Sequence, residues 1–561
     1  MSDTTATPSS RPTHFGFIYW MANVMELIER FAYYGVRVVL PVFMVEAVSN
    51  GGPEFTHVQK GTIYAIWALV QSFVPIFTGG FADRYGFKLN IAISTVLKIM
   101  GYLVMGYAIT IGEMFSGMSL AEARPLEADR TYEIFFAGAM LLALGTAIFK
   151  PGLQGLIAHQ MPAGKESFGW GMFYQAVNIG GFIGPLLAGY LRILDWEYVF
   201  LVCAAGIALN FIPLFLFREP AREDQHENKS ALGVMADAFK GLLEPRLFFF
   251  TMSFAGFWLM FYQLFDILPN FIDEWVDSRD IASFLSGAFS VPTINGGNLT
   301  QEWMINFNAL LISIFAFAMG WLTGKVSSLN AIVIGIFVSA VAIYGLGMSD
   351  SGWWCLGAIG LFSLGEMTAS PTKMRYLGGI APKGKEGLYM GYVNFTVGIG
   401  WSIGSVIAGN LYEEGGDKVN LAKRYLVDTS GVEASTVDGL ERSEVLPFFT
   451  ETTGLDAWQT RTELWNAYEP YKMWTIFTII GICSMIAIMI YNKVVTAAKK
   501  DPEHTFNVSG QNYVTMALAP ISLAFWYGAY ALNFEDIATI VQAVMFTSLW
   551  ITSLNMQRTK G

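Results

Sequence analysis

The stretch Gly80-Phe-Ala-Asp83-Arg84-Tyr-Gly86-Phe-Lys88 combines a glycine-rich helix end, a carboxylate and a basic turn, and it follows a long apolar run. A shorter stretch of the same kind, Gly320-Trp-Leu-Thr-Gly324-Lys325, follows a later apolar run. Two such turns at matching places indicate a chain built from two repeated halves. In proteins built from two repeated halves, the functional site often lies at the interface between the halves. We therefore expect the functional residues of this chain to lie between its halves.

The composition predicts that most of the chain lies in a membrane. Of 561 residues, 53% are hydrophobic and only 14% are charged, whereas soluble domains carry roughly 25% charged residues. Apolar runs of about 20 residues, each long enough to cross a bilayer, recur at 16–47, 60–82, 90–112, 133–158, 168–191, 197–217, 248–271, 303–323, 329–348, 353–372, 387–412 and 471–494. Two further runs, 513–532 and 535–555, predict a C-terminal two-helix hairpin. The sequence thus predicts an all-α integral membrane protein with 12 spans in two six-helix bundles and 14 spans in total.

The distribution of lysine and arginine predicts the orientation. Segments on the N-terminal side of the membrane hold about twice as many basic residues as the other side, which favours cytosolic N- and C-termini. The expected divisions are a cytosolic tail 1–15, a first bundle 16–217, a cytosolic linker 218–246, a second bundle 247–494 with outer loops 273–302 and 413–470, and a linker with the hairpin, 495–561. The outer loops are either small folded caps or flexible lids.

Several classes of function are disfavoured. The net charge of −11 argues against a nucleic-acid partner, which would require a basic surface. The five histidines are scattered near loops and span ends, without the spacing of a metal-binding or catalytic motif. We therefore expect that the chain is not an enzyme and that it binds no metal ion and no cofactor. The three cysteines lie in apolar runs and are predicted to be buried free thiols (Cys203, Cys355 and Cys483).

The first span carries the densest set of polar groups inside an apolar run. Glu26, Glu29, Arg30, Tyr33 and Arg37 follow the spacing i, i+3, i+4, i+7 and i+11, which places them on one helical face. An ionisable group in hydrocarbon costs a few kcal/mol or more, so each is a candidate for function. We expect this face to contact a partner or a water-filled cavity.

One charged residue in each half lies at a similar depth. Lys150 in the fourth span and Glu366 in the tenth each lie about four residues past the middle of an inward-running helix. By the helical rise, each is roughly 6 Å from the middle of its span, toward the cytosolic side. A buried lysine keeps its charge more easily beside a carboxylate. We predict that Lys150 and Glu366 form a pair that is made and broken across the cleft.

These stretches resemble known families. Residues 80–88 are similar to the loop signature of the major facilitator superfamily. Glu26-Leu-Ile-Glu29-Arg30-Phe31-Ala-Tyr33-Tyr34-Gly35 resembles the ExxERFxYYG signature of the proton-dependent oligopeptide transporters at every specified position. Phe173-Tyr174-Gln-Ala-Val177-Asn178-Ile179-Gly180 resembles their FYxxINxG motif with one change, and Gly365-Glu366-Met-Thr-Ala-Ser370-Pro371 resembles their tenth-span segment.

The resemblance implies the major facilitator fold and proton-coupled uptake of di- and tripeptides, or of a related small zwitterion, by alternating access. It implies that protons are the coupling ion and that coupling rests on Glu26, Glu29, Arg30, Lys150 and Glu366. It implies a substrate site formed by Arg30, Tyr33, Tyr34, Lys150, Asn178, Tyr262, Asn308, Glu366 and Ser370. A peptide needs cations near its carboxylate and acceptors near its ammonium group, and this set offers both. For Asn178, an interhelical hydrogen bond is the alternative.

Four cavity positions depart from the family pattern. Tyr262 replaces the seventh-span glutamate, and Gly152 replaces the asparagine after Lys-Pro. Val393 stands where the eleventh span usually has tryptophan, and Ala65 corresponds to the second-span histidine of animal members. These changes put the substrate preference in doubt more than the transport mechanism.

The lost glutamate changes the predicted gate. Asp266 is the nearest carboxylate, one turn further on the same face. By the helical rise, Asp266 lies roughly 10 Å from the middle of the seventh span, toward the outside. This depth matches that of Arg37 better than that of Arg30. We expect Arg37 and Asp266 to close an outer gate, and the alternative is that Asp266 faces water at the outer mouth. Asp83 and Arg84 of the signature turn are also assigned to gating.

Two other functions remain open, and a third is disfavoured. Gly180, Gly184, Pro185 and Gly189 resemble the glycine-proline motif of proton/drug antiporters. A substrate sensor on a transporter fold would have the same binding residues, and an integral-membrane enzyme is disfavoured by the histidine spacing. We expect a bacterial cytoplasmic membrane as the location, and the lipid bilayer and a small peptide-like substrate as partners. The hairpin shows no inward polar stripe, so we expect it to be dispensable for chemistry and a candidate for contact with a second copy or another partner.

Overall fold

The computed structural model describes residues 13–76, 78, 85–122, 130–162, 164–219, 231–382, 386–500, 508–531 and 536–560. Within these ranges the chain is almost entirely helical, and the sheet is a hairpin of two short strands, β1 (Thr293–Ile294) and β2 (Asn298–Leu299). The prediction of an all-α fold is confirmed. Asp83 and Arg84 lie outside the described residues, so their gating role stays a prediction.

The first half contains eight helices in its described part, and local sequence together with one long-range contact explains where two of them begin. Thr56 and Gln59 form a capping box at the start of the second helix. Gly86 of the signature turn has φ 108° directly before the third helix, a conformation that favours glycine. The Glu219 carboxylate accepts from the first two N–H groups of that helix at 2.8 and 3.0 Å. The helices are α1 (Phe17–Phe43), α2 (His57–Phe73), α3 (Phe87–Gly106), α4 (Ala108–Ser116), α5 (Thr131–His159), α6 (Glu166–Leu194), α7 (Trp196–Ala208) and α8 (Phe211–Leu216), with a 3₁₀ turn at Val48–Asn50.

The second half begins with a short linker helix and has a broken seventh span. The helices are α9 (Ala231–Leu242), α10 (Pro245–Phe261), α11 (Gln263–Asp266), α12 (Leu268–Trp275), α13 (Arg279–Ser286), α14 (Gln301–Gly324), α15 (Ser328–Leu346), α16 (Gly352–Ile380) and α17 (Glu386–Gly415). The second outer loop is folded, as α18 (Lys418–Asp428), α19 (Ala434–Asp438), α20 (Arg442–Thr453) and α21 (Ala457–Tyr468), with a 3₁₀ turn at Pro470–Lys472. The chain ends in α22 (Met473–Lys500) and the hairpin α23 (Val508–Ala531) and α24 (Ile537–Lys560).

The described part of the chain contains 10 helices long and apolar enough to cross a membrane. The predicted spans outside this set belong to α1, with its charged face, the short described part of α2, and α16 and α17, which are rich in glycine and polar residues. Together these helices agree with the prediction of two six-helix halves and a C-terminal hairpin. The chain is therefore an integral membrane protein.

The two halves meet along two helix pairs. In the first half α1 packs on α6 and α3 on α5, and in the second half α15 packs on α16 and α10 on α17. Across the interface, α2 packs on α17 and α6 on α14. We call the end covered by α13 and by α18 to α21 the capped end. The opposite end, which holds the start of α1 and the end of α24, is the terminal end.

Two sequence predictions require correction. Cys203 and Cys355 are buried, but Cys483 is exposed on α22. In a membrane helix an apolar sequence neighbourhood does not imply burial, because lipid solvates apolar residues on the outer face. The hairpin does carry inward polar groups, since Asp536 and Gln542 are buried against the bundle.

Candidate functional site

The polar face of α1 forms a buried charge cluster. Arg30 Nε lies 2.9 Å from Glu26 Oε1 and 2.6 Å from Glu29 Oε2. All three side chains are buried in the first half. Because two carboxylates share one guanidinium, the cluster carries an excess of negative charge unless another cation or a proton joins it.

A second cation does join it, and the sequence reasoning missed this residue. Lys98 on α3 is fully buried, and its Nζ lies 2.5 Å from Glu29 Oε1. The signal was available, because Lys98 stands inside the apolar run 90–112, where any ionisable group is a candidate for function. The coupling cluster therefore draws on two helices rather than one.

Small residues on α6 hold that helix tightly behind the cluster. A Cβ at Gly180 would lie 2.3 Å from the Leu27 carbonyl oxygen, and one at Gly184 would lie 2.3 Å from that of Phe31. Such distances leave no room for a side chain, so both positions require glycine for the close approach of α6 to α1. This packing accounts for Gly180 and Gly184 of the motif that resembles the antiporter sequence, whereas its third glycine, Gly189, packs against Trp303 of α14.

The paired tyrosines lie beside the cluster. The Arg30 guanidinium lies over the Tyr33 ring, 5.5 Å from its centroid. The Tyr33 hydroxyl donates to Gln71 Oε1 at 3.0 Å, and Trp67 Nε1 donates to the same oxygen at 2.8 Å. Tyr33 is therefore fixed by α2, whereas Tyr34 is half-buried and interacts electrostatically with Arg30 in its own half and with Glu366 in the other.

The second half contributes a carboxylate held by an amide. Asn308 Nδ2 donates to Glu366 Oε2 at 2.9 Å and to Ser363 Oγ at 3.0 Å. Ser370, one turn beyond Glu366, is half-buried. Asn308 and Glu366 thus come together as the resemblance implies.

Other predicted site residues have unexpected neighbours. Tyr262, which stands at the sequence position of the family's seventh-span glutamate, stacks on Trp401 with ring centroids 4.2 Å apart and planes 4° from parallel. Asn178 Nδ2 donates to Tyr174 O of its own helix at 2.9 Å. This bond supports neither the substrate contact nor the interhelical alternative.

Lys150 and Glu366 do not form an ion pair in the described part of this structure. Lys150 interacts electrostatically with Arg30, Glu29 and Glu26, all in its own half. Glu366 is instead bonded to Asn308. Their pairing stays a prediction for another conformation of the transport cycle.

The expected contact between Arg37 and Asp266 is present. The two side chains form a buried ion pair, and Arg37 Nη1 also donates to Phe265 O at 3.2 Å. Asp266 Oδ2 accepts from Trp401 Nε1 at 3.0 Å and from Ser405 Oγ at 2.7 Å. The pair joins α1 to the seventh span near the capped end, and its gating role stays a prediction.

Further polar contacts join the halves at the capped end, and the sequence reasoning missed them. Arg192 on α6 pairs with Glu302 at 2.8 Å and with Asp273 at 3.0 Å. Lys60 Nζ donates to Asn270 Oδ1 at 2.7 Å. Each contact links a first-half helix to a second-half helix, so this structure is closed at the capped end.

A buried cluster outside the spans also crosses the interface. His57 Nε2 lies 2.9 Å and Arg442 Nη2 2.5 Å from Asp417 Oδ2. Burial, with Lys60 nearby, lowers the pKa of His57 to about 3. Burial opposes ionisation of Asp417, but Arg442 and His57 hold its pKa below the ordinary value. Burial, with the charge of Asp417, raises the pKa of Glu274 to about 8.

This cluster is a poor cation site. Donor atoms of His57, Glu274 and Asp417 lie within 4.8 Å of one another. The Arg442 guanidinium already neutralises the Asp417 carboxylate. A metal ion would have to displace that arginine, so the donors are better suited to joining the halves.

Known proteins match most of the chain. The model of the Major Facilitator Superfamily matches residues 23–297 and 281–422. The peptide transporter YePEPT of Yersinia enterocolitica is 23% identical over 482 residues, which cover 70% of this chain and 87% of that protein. The multidrug resistance protein MdtH of Proteus mirabilis is 22% identical over 382 residues, which cover 68% of this chain and 84% of that protein.

Solved structures share the fold. A crystal structure of the peptide transporter POT in complex with sulfate has a TM-score of 0.58 and 17% identity, and covers 87% of this chain and 97% of that one. A POT family transporter in complex with 5-aminolevulinic acid has a TM-score of 0.59 and 16% identity, with coverage of 87% and 98%. These matched proteins are transporters, not enzymes. With a family model that spans most of its helices, this chain belongs to the Major Facilitator Superfamily and has the fold of the POT peptide transporters.

Proposed function

We propose that the chain is a proton-coupled symporter for di- and tripeptides, or for a related small zwitterion, working by alternating access. The observation that carries the proposal is the division of charge between the halves. Arg30 and Lys150 supply cations on one side, and Glu366, held by Asn308, supplies the carboxylate on the other. Tyr34 interacts electrostatically with both Arg30 and Glu366. A zwitterion placed between the halves would be matched at both of its charged ends.

The relatives support this substrate class. YePEPT is named as a peptide transporter, and one structural neighbour is in complex with 5-aminolevulinic acid, a small molecule with an amine and a carboxyl group. The complete first-span signature supports proton coupling, with protons as the coupling ion. The changed cavity residues, Tyr262 above all, restrict which peptides fit, because its ring occupies space beside Trp401.

We assign the capped end to the outside and the terminal end to the cytosol of a bacterial cell. The positive-inside bias supports this orientation. Arg37 and Asp266 then close the outer gate in this conformation. When that pair opens, Lys150 and Glu366 approach each other and close the inner side. We also assign Asp83 and Arg84 to gating.

The test is uptake of labelled dipeptides into proteoliposomes that contain the purified protein. An acid-outside pH gradient should drive accumulation against the concentration gradient, and a proton ionophore should abolish it. The similarity to MdtH favours a proton/drug antiporter as the second candidate. For an antiporter the same gradient would drive substrate out, so the direction of net movement separates the two functions. Binding of peptide without any movement would indicate a sensor.

The hairpin offers a surface for association within the membrane. Its outward side carries large exposed apolar residues, among them Tyr513, Leu523, Tyr527 and Ile551. Lipid can solvate this surface equally well. We assign it to contact with a second copy of the chain, which cross-linking in native membranes would test.

A further inference from the structure

Lys98 is a buried cation that the transport mechanism described above does not use. Its side chain is fully buried within the third span. The stem packs so closely on α5 that a Cβ at Gly145 would lie 2.7 Å from Lys98 Cγ. Its Nζ lies over the Phe149 ring at 3.9 Å from the centroid. Packing on both sides holds the ammonium group in place beside Glu29.

The two carboxylates of the cluster have unequal surroundings. Glu29 contacts two cations, Lys98 at 2.5 Å and Arg30 at 2.6 Å. In the described part of the chain Glu26 has one ion pair, with Arg30 at 2.9 Å, and it shares that guanidinium with Glu29, while Lys98 and Lys150 act on it electrostatically without an ion pair. A carboxylate between two fixed cations stays ionised, whereas a buried carboxylate with a shared cation gains a proton more easily.

Other charged or titratable groups face the cluster from several elements. They are Tyr33 and Tyr34 on α1, Tyr102 on α3, Lys150 on α5 and, through Tyr34, Glu366 on α16. Of the cations, Lys150 is half-buried and has no ion-pair partner in the described chain, whereas Lys98 is paired and enclosed. Lys150 is therefore suited to change partners, and Lys98 is not.

We propose that Lys98 is a positioning residue that keeps Glu29 permanently ionised and thereby makes Glu26 the proton-binding carboxyl of the coupling cluster. This inference rests on the proposed function only in that the bound proton is the one coupled to transport. The location of the proton is a property of the protein without substrate. It is therefore tested separately.

Infrared difference spectra of the purified protein between neutral and acid pH locate the proton, because a protonated carboxyl has its own carbonyl stretch. We expect a band in the wild type that Glu26→Gln removes. Lys98→Met should add a second band from Glu29 at higher pH, and Lys98→Met with Glu29→Gln should lose that second band. Lys98→Arg should keep the wild-type spectrum. The double variant removes a neutral pair, so it is suitable if Lys98→Met alone does not fold.

A matched control comes from the second half. Lys373 is also buried, over the Trp258 ring at 4.2 Å, and the described chain gives it no ion pair. Lys373→Met should leave the carboxyl bands unchanged. A wild-type band that survives in Glu26→Gln, or a Lys98→Met spectrum without a new band, would overturn the proposal.

Exchange of labelled dipeptide across proteoliposome membranes provides the second readout. Lys98→Met should move the midpoint of the pH profile upward by about one unit or more, because Glu29 then also binds protons. A purely structural role would reduce the amount of folded protein without moving the midpoint. If the spectra behave as expected but the wild type moves no peptide, the proposed function fails and the proton site stands. If peptide moves but the spectra do not change as expected, only the inference on Lys98 fails.

Discussion

Single residues inside the bundle divide into paired and unpaired charges. Glu29, Lys98, Arg37 and Asp266 are in ion pairs, whereas Lys150 has none in the described chain. An unpaired charge within the membrane is costly, so its pairing in another state supplies free energy for a conformational change. Lys150 is therefore the residue that we expect to gain an ion pair in another state of the transport cycle.

Changing either member of the predicted inner pair should uncouple transport. We expect Lys150→Ala and Glu366→Gln each to abolish accumulation driven by a pH gradient, and to keep only part of the substrate binding, seen as a smaller rise in the melting temperature of the purified protein on adding substrate. Lys325→Ala is the control, because Lys325 lies over the Trp321 ring rather than in the site. Uptake at the wild-type level in both variants would exclude this pair from the mechanism.

The pH dependence of stability should depend on Glu274. Its pKa of about 8 in the folded protein lies above the ordinary carboxyl value. A raised pKa means that the folded state binds the proton more tightly, so this stabilisation is present below the ordinary carboxyl pKa and is lost as pH rises to about 8. Between about pH 5 and pH 9, the free energy of unfolding should fall less in Glu274→Gln than in the wild type. The difference between the two falls should be on the order of a few kcal/mol. Equal slopes of melting temperature against pH for both proteins would contradict this assignment.

Single residues differ in how far their place could be predicted from the sequence. The charged face of α1 was predictable, because ionisable groups at helical spacing inside an apolar run must face a partner or a cavity. The same argument applies to Lys98, which also lies inside an apolar run. It was overlooked because it does not belong to a set of ionisable residues at helical spacing. The position of Cys483 was mispredicted, because hydropathy does not separate lipid-facing from buried positions.

At the scale of helices, the spans were predictable and their breaks were not. The run 248–271 predicted one helix, but the structure divides this region into α10, α11 and α12, with breaks at Tyr262 and Ile267. The break at Ile267 precedes Pro269 in the first turn of α12, a helix-start signal that the sequence did contain. At the other break the Tyr262 ring stacks on Trp401, a contact that the sequence does not show. The outer loop 413–470 was left open as cap or lid, and its described helices show a folded cap.

The close contact between α1 and α6 should depend on glycine. A Cβ at Gly184 would meet the Phe31 carbonyl oxygen at 2.3 Å, and backbone atoms cannot rotate away. We expect Gly184→Ala to destabilise the protein by about 1–3 kcal/mol, because the helices must separate. Gly357→Ala on α16 is the matched control, since a Cβ there meets nothing within 4 Å. Alanine should be neutral or slightly stabilising at that position. A thermal melting temperature for Gly184→Ala at or above that of the control variant would contradict the packing argument.

At the scale of the whole molecule, the C-terminal hairpin touches both halves where they meet. Asp536 Oδ1 accepts from Thr62 Oγ1 on α2 at 2.7 Å. Gln542 Nε2 donates to Ser402 Oγ on α17 at 2.9 Å. These bonds flank the close approach of α2 and α17, where a Cβ at Gly61 would lie 2.5 Å from Ser405 O. The two halves were predictable from the repeated turn, but these contacts were not, because hydropathy does not show which polar residues of the hairpin face the bundle.

Removing the hairpin should therefore change the conformational balance and leave the chemistry intact. We expect a chain ending at residue 500 to keep proton-driven uptake and its pH dependence, because the described hairpin places no charged side chain beside the coupling cluster. The hairpin holds α2 by one hydrogen bond and α17 by another. Losing both, each worth about 1 kcal/mol net, should raise the population open at the capped end by roughly tenfold or more. Spin-label distances between Thr56→Cys and Asn420→Cys would measure that population. Thr62→Val combined with Gln542→Leu keeps the hairpin and should shift the distances in the same direction. A folded truncated chain that no longer accumulates substrate would show that the hairpin takes part in transport itself.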